Sequence, residues 1–261
     1  MNGKLRNTIR RNGPALFLLT GILAVWEFVC LMKLVPTYML PAPTDILLAL
    51  VKDLPELGTH TCVTLTEAAC GLAAGVALGF VCAVGMDACR WLYRALYPIL
   101  VITQTIPTVA IAPLLVLWFG YEMAPKIILI VLVTFFPMAV GLLEGFRSVD
   151  PDSVALLRSM GASRYQIFRY IKCPAALPQF FAGLRIAAAY SVVGAVISEW
   201  LGGFQGLGVY MTRVRKAYAF DKMFAVILLI SVISLLLMAL VDMLQKKCMP
   251  YARTQEEENI T

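Results

Sequence analysis

Long apolar runs, separated by short polar stretches, set the pattern of this chain. A helical bilayer crossing needs about 20 mostly apolar residues. Six runs meet that measure, at 14–33, 62–87, 97–119, 125–146, 179–200 and 223–244. They are continuous, not short and alternating, which excludes a closed β-barrel. The pattern predicts an all-α, polytopic membrane protein with about six transmembrane helices, forming one domain over 1–261. No linker interrupts it, and the polar tail Gln255–Thr261 is expected to fray.

The longest polar interruption, 150–178, carries its own helix punctuation. Asp150 is a helix cap with Pro151 at the first helical position, where a missing N–H costs nothing. Val154, Leu157 and Met160 recur at helical spacing, and Gly161 is the stop, free to turn left-handed. Ser163 and Gln166 have the spacing of a capping box that restarts a helix. Ile167, Phe168 and Ile171 then share an apolar face, and Pro174 and Pro178 limit the helix. Two short helices around a Gly-Ala-Ser turn make a knob of the kind that fits a partner's groove.

Composition agrees with a membrane protein: 60% of residues are hydrophobic and 15% charged, with mean hydropathy +0.80. The net charge of +6 is uneven. With the N-terminus inside, Lys4, Arg6, Arg10, Arg11, Arg90, Arg94, Arg147, Arg158, Arg164, Arg169, Lys172, Lys246, Lys247 and Arg253 fall on the cytoplasmic side. Lys33, Lys52, Lys126, Arg213, Arg215, Lys216 and Lys222 fall outside, a ratio of roughly two to one for the inside. The knob and both termini are thus expected in the cytoplasm. The basic balance serves orientation in the lipid bilayer and implies no nucleic acid. The first run follows basic residues but is long and lacks an A-x-A site, so it is expected to stay as an uncleaved helix.

Seven scattered cysteines and one histidine, His60, offer no metal constellation. His60 is expected in a polar outer loop, which, with no G-x-S-G, argues against an intramembrane serine protease or other enzyme. Gly71, Gly75 and Gly79 put small residues on one helical face, the mark of close helix packing in lipid, within one subunit or between two. Pro107, Pro113 and Pro137 break the hydrogen-bond ladder of the third and fourth runs, as in a bundle that lines a passage. Of the charges at membrane depth, Glu27 reads as central, while Glu67, Glu144, Arg185 and Glu199 lie near span ends. Glu27 and Glu199 are candidate residues of a pathway or its outer mouth. After Glu199, the segment 201–222 has four glycines and then Arg213, Arg215 and Lys216. It reads as an external Gly-rich, basic loop, with Arg213 and Arg215 candidates for meeting an acidic partner or an anionic solute.

With these features in place, the chain resembles the permease subunits of ABC importers. Their cytoplasmic signature is E-A-A, three residues, Gly, and then I-x-L-P. Here the frame reads Ala155-Leu156-Leu157, Arg158-Ser159-Met160, Gly161-Ala162-Ser163, and ends Ile171-Lys172-Cys173-Pro174. The glycine and spacing match; the acidic residue is replaced by Ala155. Ala112-Pro113-Leu114-Leu115, Trp118-Phe119-Gly120, Pro174–Pro178, Gly183–Ala187 and Gly206-Leu207-Gly208 resemble the nitrate/sulfonate/taurine-type branch, which also includes importers of thiamine's pyrimidine precursors. The run Ile197–Gly203 leans toward the latter.

The resemblance implies a type I importer permease in a bacterial inner membrane. It implies a homodimeric pore, an extracytoplasmic solute-binding protein, and a separate ATPase docked on Ala155, Leu157, Met160, Gly161, Ala162, Ser163, Ile167 and Phe168. It also implies that ATP is bound by that partner; this sequence has no G-x-x-x-x-G-K-[ST] loop and no cofactor is expected here. A secondary transporter or channel working without an ATPase is the alternative, but it would leave the knob without a purpose.

Overall fold

The computed structural model describes residues 2–36 and 38–249. The polar tail and the basic side chains of Lys4, Arg6, Arg10 and Arg11 lie outside the described residues and side chains. The elements are helices α1 (Asn2–Leu31), α2 (Pro43–Lys52), α3 (Leu54–Ala88), α4 (Arg90–Thr103), α5 (Thr108–Phe119) and α6 (Met123–Arg147). They continue with α7 (Pro151–Ser159), α8 (Arg164–Ile167), a π-helical turn (Phe168–Lys172), α9 (Cys173–Ala175), α10 (Leu177–Leu201), α11 (Leu207–Lys216) and α12 (Phe220–Cys248). The fold is all-α, with no strand among the described residues.

Four helices, α3, α6, α10 and α12, are long and apolar enough to cross a membrane. The run expected as one continuous span at 97–119 is broken: α4 and α5 meet at 99° and pass the same test only together. The break falls at 104–107, ending in Pro107, which supplies no N–H and pushes the residue before it out of helical geometry. Pro113 and Pro137 stay inside continuous helices. In the first run, Leu16–Leu31 is a shorter apolar stretch.

Two compact units are present, one from the stretches up to Gly58 and Tyr210–Leu229, the other from Thr59–Val209 and from Ile230 onward. In the first unit, Ile46 and Ala49 of α2 and Ala225 of α12 form a buried cluster, bordered by Trp26 edge-on to Phe224. Asp53 gathers polar partners there, accepting from the Tyr210 hydroxyl at 2.5 Å and pairing with Lys222 at 2.7 Å.

The second unit is built on α6. Lipid gives helices little reason to associate, so close packing through small residues must hold them together. Gly71, Gly75 and Gly79 of α3 face Ile130, Thr134 and Met138 of α6; a Cβ at Gly71 or Gly75 would overlap the opposing side chain, and one at Gly79 would lie 2.7 Å from Met138 Cβ. The glycine stripe thus packs inside the chain. On another side of α6, Gly145 admits Ala176, and Gly183 of α10 lies against the Pro137 carbonyl. Met138, Ala139, Leu142, Leu143 and Phe146 form the buried centre, with Ala83, Met86, Leu100 and Ala187.

Candidate functional site

Local sequence builds the 150–178 knob. The Asp150 carboxylate accepts from the N–H groups of Asp152 at 3.1 Å and Ser153 at 3.3 Å, starting α7. These bonds, the Asp152 N–H foremost, hold its carboxyl below the ordinary carboxylate range. Gly161 has φ +83, and the Ala162 N–H returns to the Leu157 carbonyl at 2.9 Å, closing the helix. The capping box then forms in both directions: Ser163 N–H to Gln166 Oε1 at 2.7 Å, and Gln166 N–H to Ser163 Oγ at 3.3 Å.

Met160 is 74% exposed, and Leu156, Tyr165 and Tyr170 are similarly open. A hollow beside them is lined by Leu157, Gly161, Ala162 and Gln166. Ala155, Gly161 and Ser163 are exposed, while Leu157 and Ala162 are half-buried. Ile167 and Phe168 are turned inward instead. Ile167 is buried, and the Phe168 ring lies 5.2 Å from that of Phe146. The π-turn widens the helix from Phe168 on and rotates the side chains that follow. It aims Lys172 at Asp87, which it grips at 2.6 and 2.8 Å. The knob is thereby tied to the end of α3.

A second polar cluster lies at the other end of α10. The Glu199 carboxylate accepts from the Thr64 hydroxyl at 2.7 Å and the Gly208 N–H at 2.6 Å. Thr64 Oγ1 also accepts from the Leu207 N–H at 2.9 Å, and His60 Nδ1 from the Gly206 N–H at 3.0 Å. Gly206 has φ +127, and a Cβ there would overlap the Glu199 carboxylate. Nearby, Glu67 and Lys126 form an ion pair at 2.5 Å with both side chains buried. His60 is therefore a buried residue of α3 rather than one of an outer loop. Glu199 is occupied in holding the glycine segment.

The segment expected as a loop over 201–222 contains helix α11. Leu207, Tyr210, Met211 and Val214 are all buried in it. Their i, i+3, i+4, i+7 spacing was the available signal. Burial raises the Tyr210 hydroxyl's pKa, and neighbouring Asp53 raises it further. Arg213 pairs with Glu56 and lies over the Tyr210 ring, and both it and Arg215 are exposed. Glu27, expected as central, lies in the last turns of α1. It accepts from the Thr44 hydroxyl at 2.7 Å and the Thr44 N–H at 3.2 Å, which caps α2. Glu27, Glu199 and Arg213 are thus each engaged with a different partner.

The break between α4 and α5 does open a cavity, of about 300 Å³, walled by α5, α6 and α10. Another, of about 460 Å³, lies beside Glu67, Tyr121, Glu122, Lys126 and Phe204.

Glycine-packed spans, a broken helix beside a cavity and a protruding capped knob define a helical transport permease. The same fold occurs in the crystal structure of an amino acid ABC transporter with histidines, at TM-score 0.64 and 17% identity, covering 77% of this chain and 97% of that one. Residues 75–249 match the family described as binding-protein-dependent transport system inner membrane component, and the chain belongs to that family. It is 37% identical over 244 residues to the formylaminopyrimidine transport permease protein ThiX of Halalkalibacterium halodurans, covering 93% of this chain and 96% of that protein. It is 30% identical over 240 residues to the taurine transport system permease protein TauC of Escherichia coli, covering 89% and 87%. The chain is thus a multi-pass inner-membrane permease of an ABC importer, a class that works with an ATPase and a binding protein.

Proposed function

We propose that residues 150–178 are the cytoplasmic lever through which a separate ATPase, which holds the ATP, drives this permease. The observation that carries the reading is the exposed apolar tip around Met160, Tyr165 and Tyr170, on helices whose N-termini are capped by Asp150 and Ser163. A loop that met only water would gain nothing from such a surface. Ala155, Leu157, Gly161, Ala162 and Ser163 shape the docking face; Ile167 and Phe168 pass its movement to α6 through Phe146. The excess of Lys and Arg on one side of the spans supports placing both chain termini in the cytoplasm with this lever.

A second copy of the chain completes the pore. Ile186, Tyr190 and Val193 support this, because they stay exposed on α10, the most buried of the four long spans. Arg215 and Lys216, exposed on α11, meet an extracytoplasmic binding protein that delivers the solute. Closing of the ATPases on ATP favours one orientation of the levers, and the pore alternates between its two openings as a rigid-body transition.

Co-purification with the ATPase tests the reading. Met160→Asp places a charge on the apolar tip and should lower retained ATPase about tenfold, a change of about 1.4 kcal/mol. The thermal midpoint of the spans should stay unchanged. Full ATPase retention by Met160→Asp together with Tyr170→Asp would refute it.

A further inference from the structure

Membrane proteins keep irregular backbone at bilayer depth only where it is buried in protein or lines a cavity. The 104–107 break does the latter, and the chemistry of its cavity is distinctive. None of its lining residues carries a charge; the polar ones are Thr103, Gln104, Thr108 and Tyr190. The Thr103 hydroxyl is committed to the Leu100 carbonyl at 2.7 Å, which leaves it only as an acceptor. Gln104 supplies an amide with two donors and one acceptor, and Tyr190 supplies a ring face and a hydroxyl. Ile111, Val133 and Val193 form apolar walls. Gly194 lets α10 close on α6 behind the cavity, since a Cβ there would lie 3.2 Å from Val133.

We propose that this cavity is a waypoint for the transported solute, and that it favours an uncharged, planar, hydrogen-bonding heterocycle over a sulfonate or nitrate. An anion entering it would give up hydration with no cation to receive it. A heterocycle instead lays its face on the Tyr190 ring and the apolar walls and turns its polar edge to Gln104 and Thr108. The cavity beside Glu67, Glu122 and Lys126 has charges of both signs and applies no such filter. Selection against anions therefore falls on the broken helix. Among the solutes named for relatives, a formylated aminopyrimidine suits this lining and taurine does not. The inference rests on the importer reading.

The test uses the full chain with its ATPase in lipid nanodiscs, the seven native cysteines replaced by serine or alanine and Thr108→Cys introduced. The rate of maleimide labelling at that position is read with and without solute. Millimolar formylaminopyrimidine should slow labelling by about threefold, the value for a solute at twice its dissociation constant. Equal concentrations of taurine or nitrate should leave the rate unchanged, and adding Tyr190→Ala should abolish the protection. Val193→Cys serves if Thr108→Cys does not assemble. Protection by taurine or nitrate as strong as that by formylaminopyrimidine overturns the proposal, as does a position that no solute protects. ATPase retention in the same sample separates the two ideas. Its loss from the native chain contradicts the importer reading, whereas retained ATPase with unprotected cysteine contradicts only the waypoint.

Discussion

Thr64→Val is nearly isosteric, and it removes one oxygen that serves two buried groups. In the native chain that oxygen donates to Glu199 Oε1 at 2.7 Å and accepts from the Leu207 N–H at 2.9 Å. A hydrogen bond to a carboxylate contributes about 1.5–3 kcal/mol, and a buried N–H left without an acceptor costs about 1–3 kcal/mol. Because Thr64, Leu207 and Glu199 are all buried, water cannot replace the missing oxygen. The expected loss is therefore about 2.5–6 kcal/mol. At about 2–4 °C per kcal/mol for a chain of this size, the midpoint falls by roughly 5–24 °C. The measurement is thermal unfolding of the purified permease followed by tryptophan fluorescence. Thr66→Val is the control, since the exposed Thr66 hydroxyl bonds to the Cys62 carbonyl of its own helix, at 2.7 Å. If the two variants unfold at the same temperature, the 202–208 segment is not held by Thr64 and the account of Glu199 as a structural acceptor fails.

Two further outcomes follow from the packing and the charges. Gly75→Val drives a branched side chain into Thr134 and should destabilise the bundle by about 1–3 kcal/mol or more, while Gly58→Ala, which meets open space, should be near neutral; equal midpoints would refute the α3–α6 packing. Burial alone would raise the Asp53 carboxyl, but hydrogen bonds from Lys222 and Tyr210 hold it below its ordinary value. A carboxylate lowered in this way stabilises the fold above its unfolded value of about 3.9, and that contribution disappears as pH falls through the folded value. Asp53→Asn should thus flatten the decline of the thermal midpoint below about pH 4, and parallel native and variant curves would count against the pairing.

What could be read from the chain divides by reach. Asp150, Gly161 and the Ser163–Gln166 box act on residues within a few positions of themselves, so their spacing alone carries the geometry. Glu67 and Lys126 are 59 positions apart and Thr64 and Glu199 are 135 apart, and no local pattern joins them. Glu67 therefore read as a residue at a span's edge and Lys126 as one more external cation. Helix α11 was hidden for a different reason. Its glycine-rich approach and its three basic residues outweighed the four apolar positions that set its period. The bend at Pro107 was legible as a fault in the ladder, but its 99° angle depends on what packs on either side.

Ile130 lies against both Gly71 of α3 and Gly194 of α10, and Met138 is shared in the same way by Gly79 and Gly183. Two wedges thus serve two grooves each. A larger residue at either wedge would have to be answered on both flanks at once, and single steps of divergence have no room there. Relatives that differ at 130 or 138 should show the change as a correlated set spread over three spans.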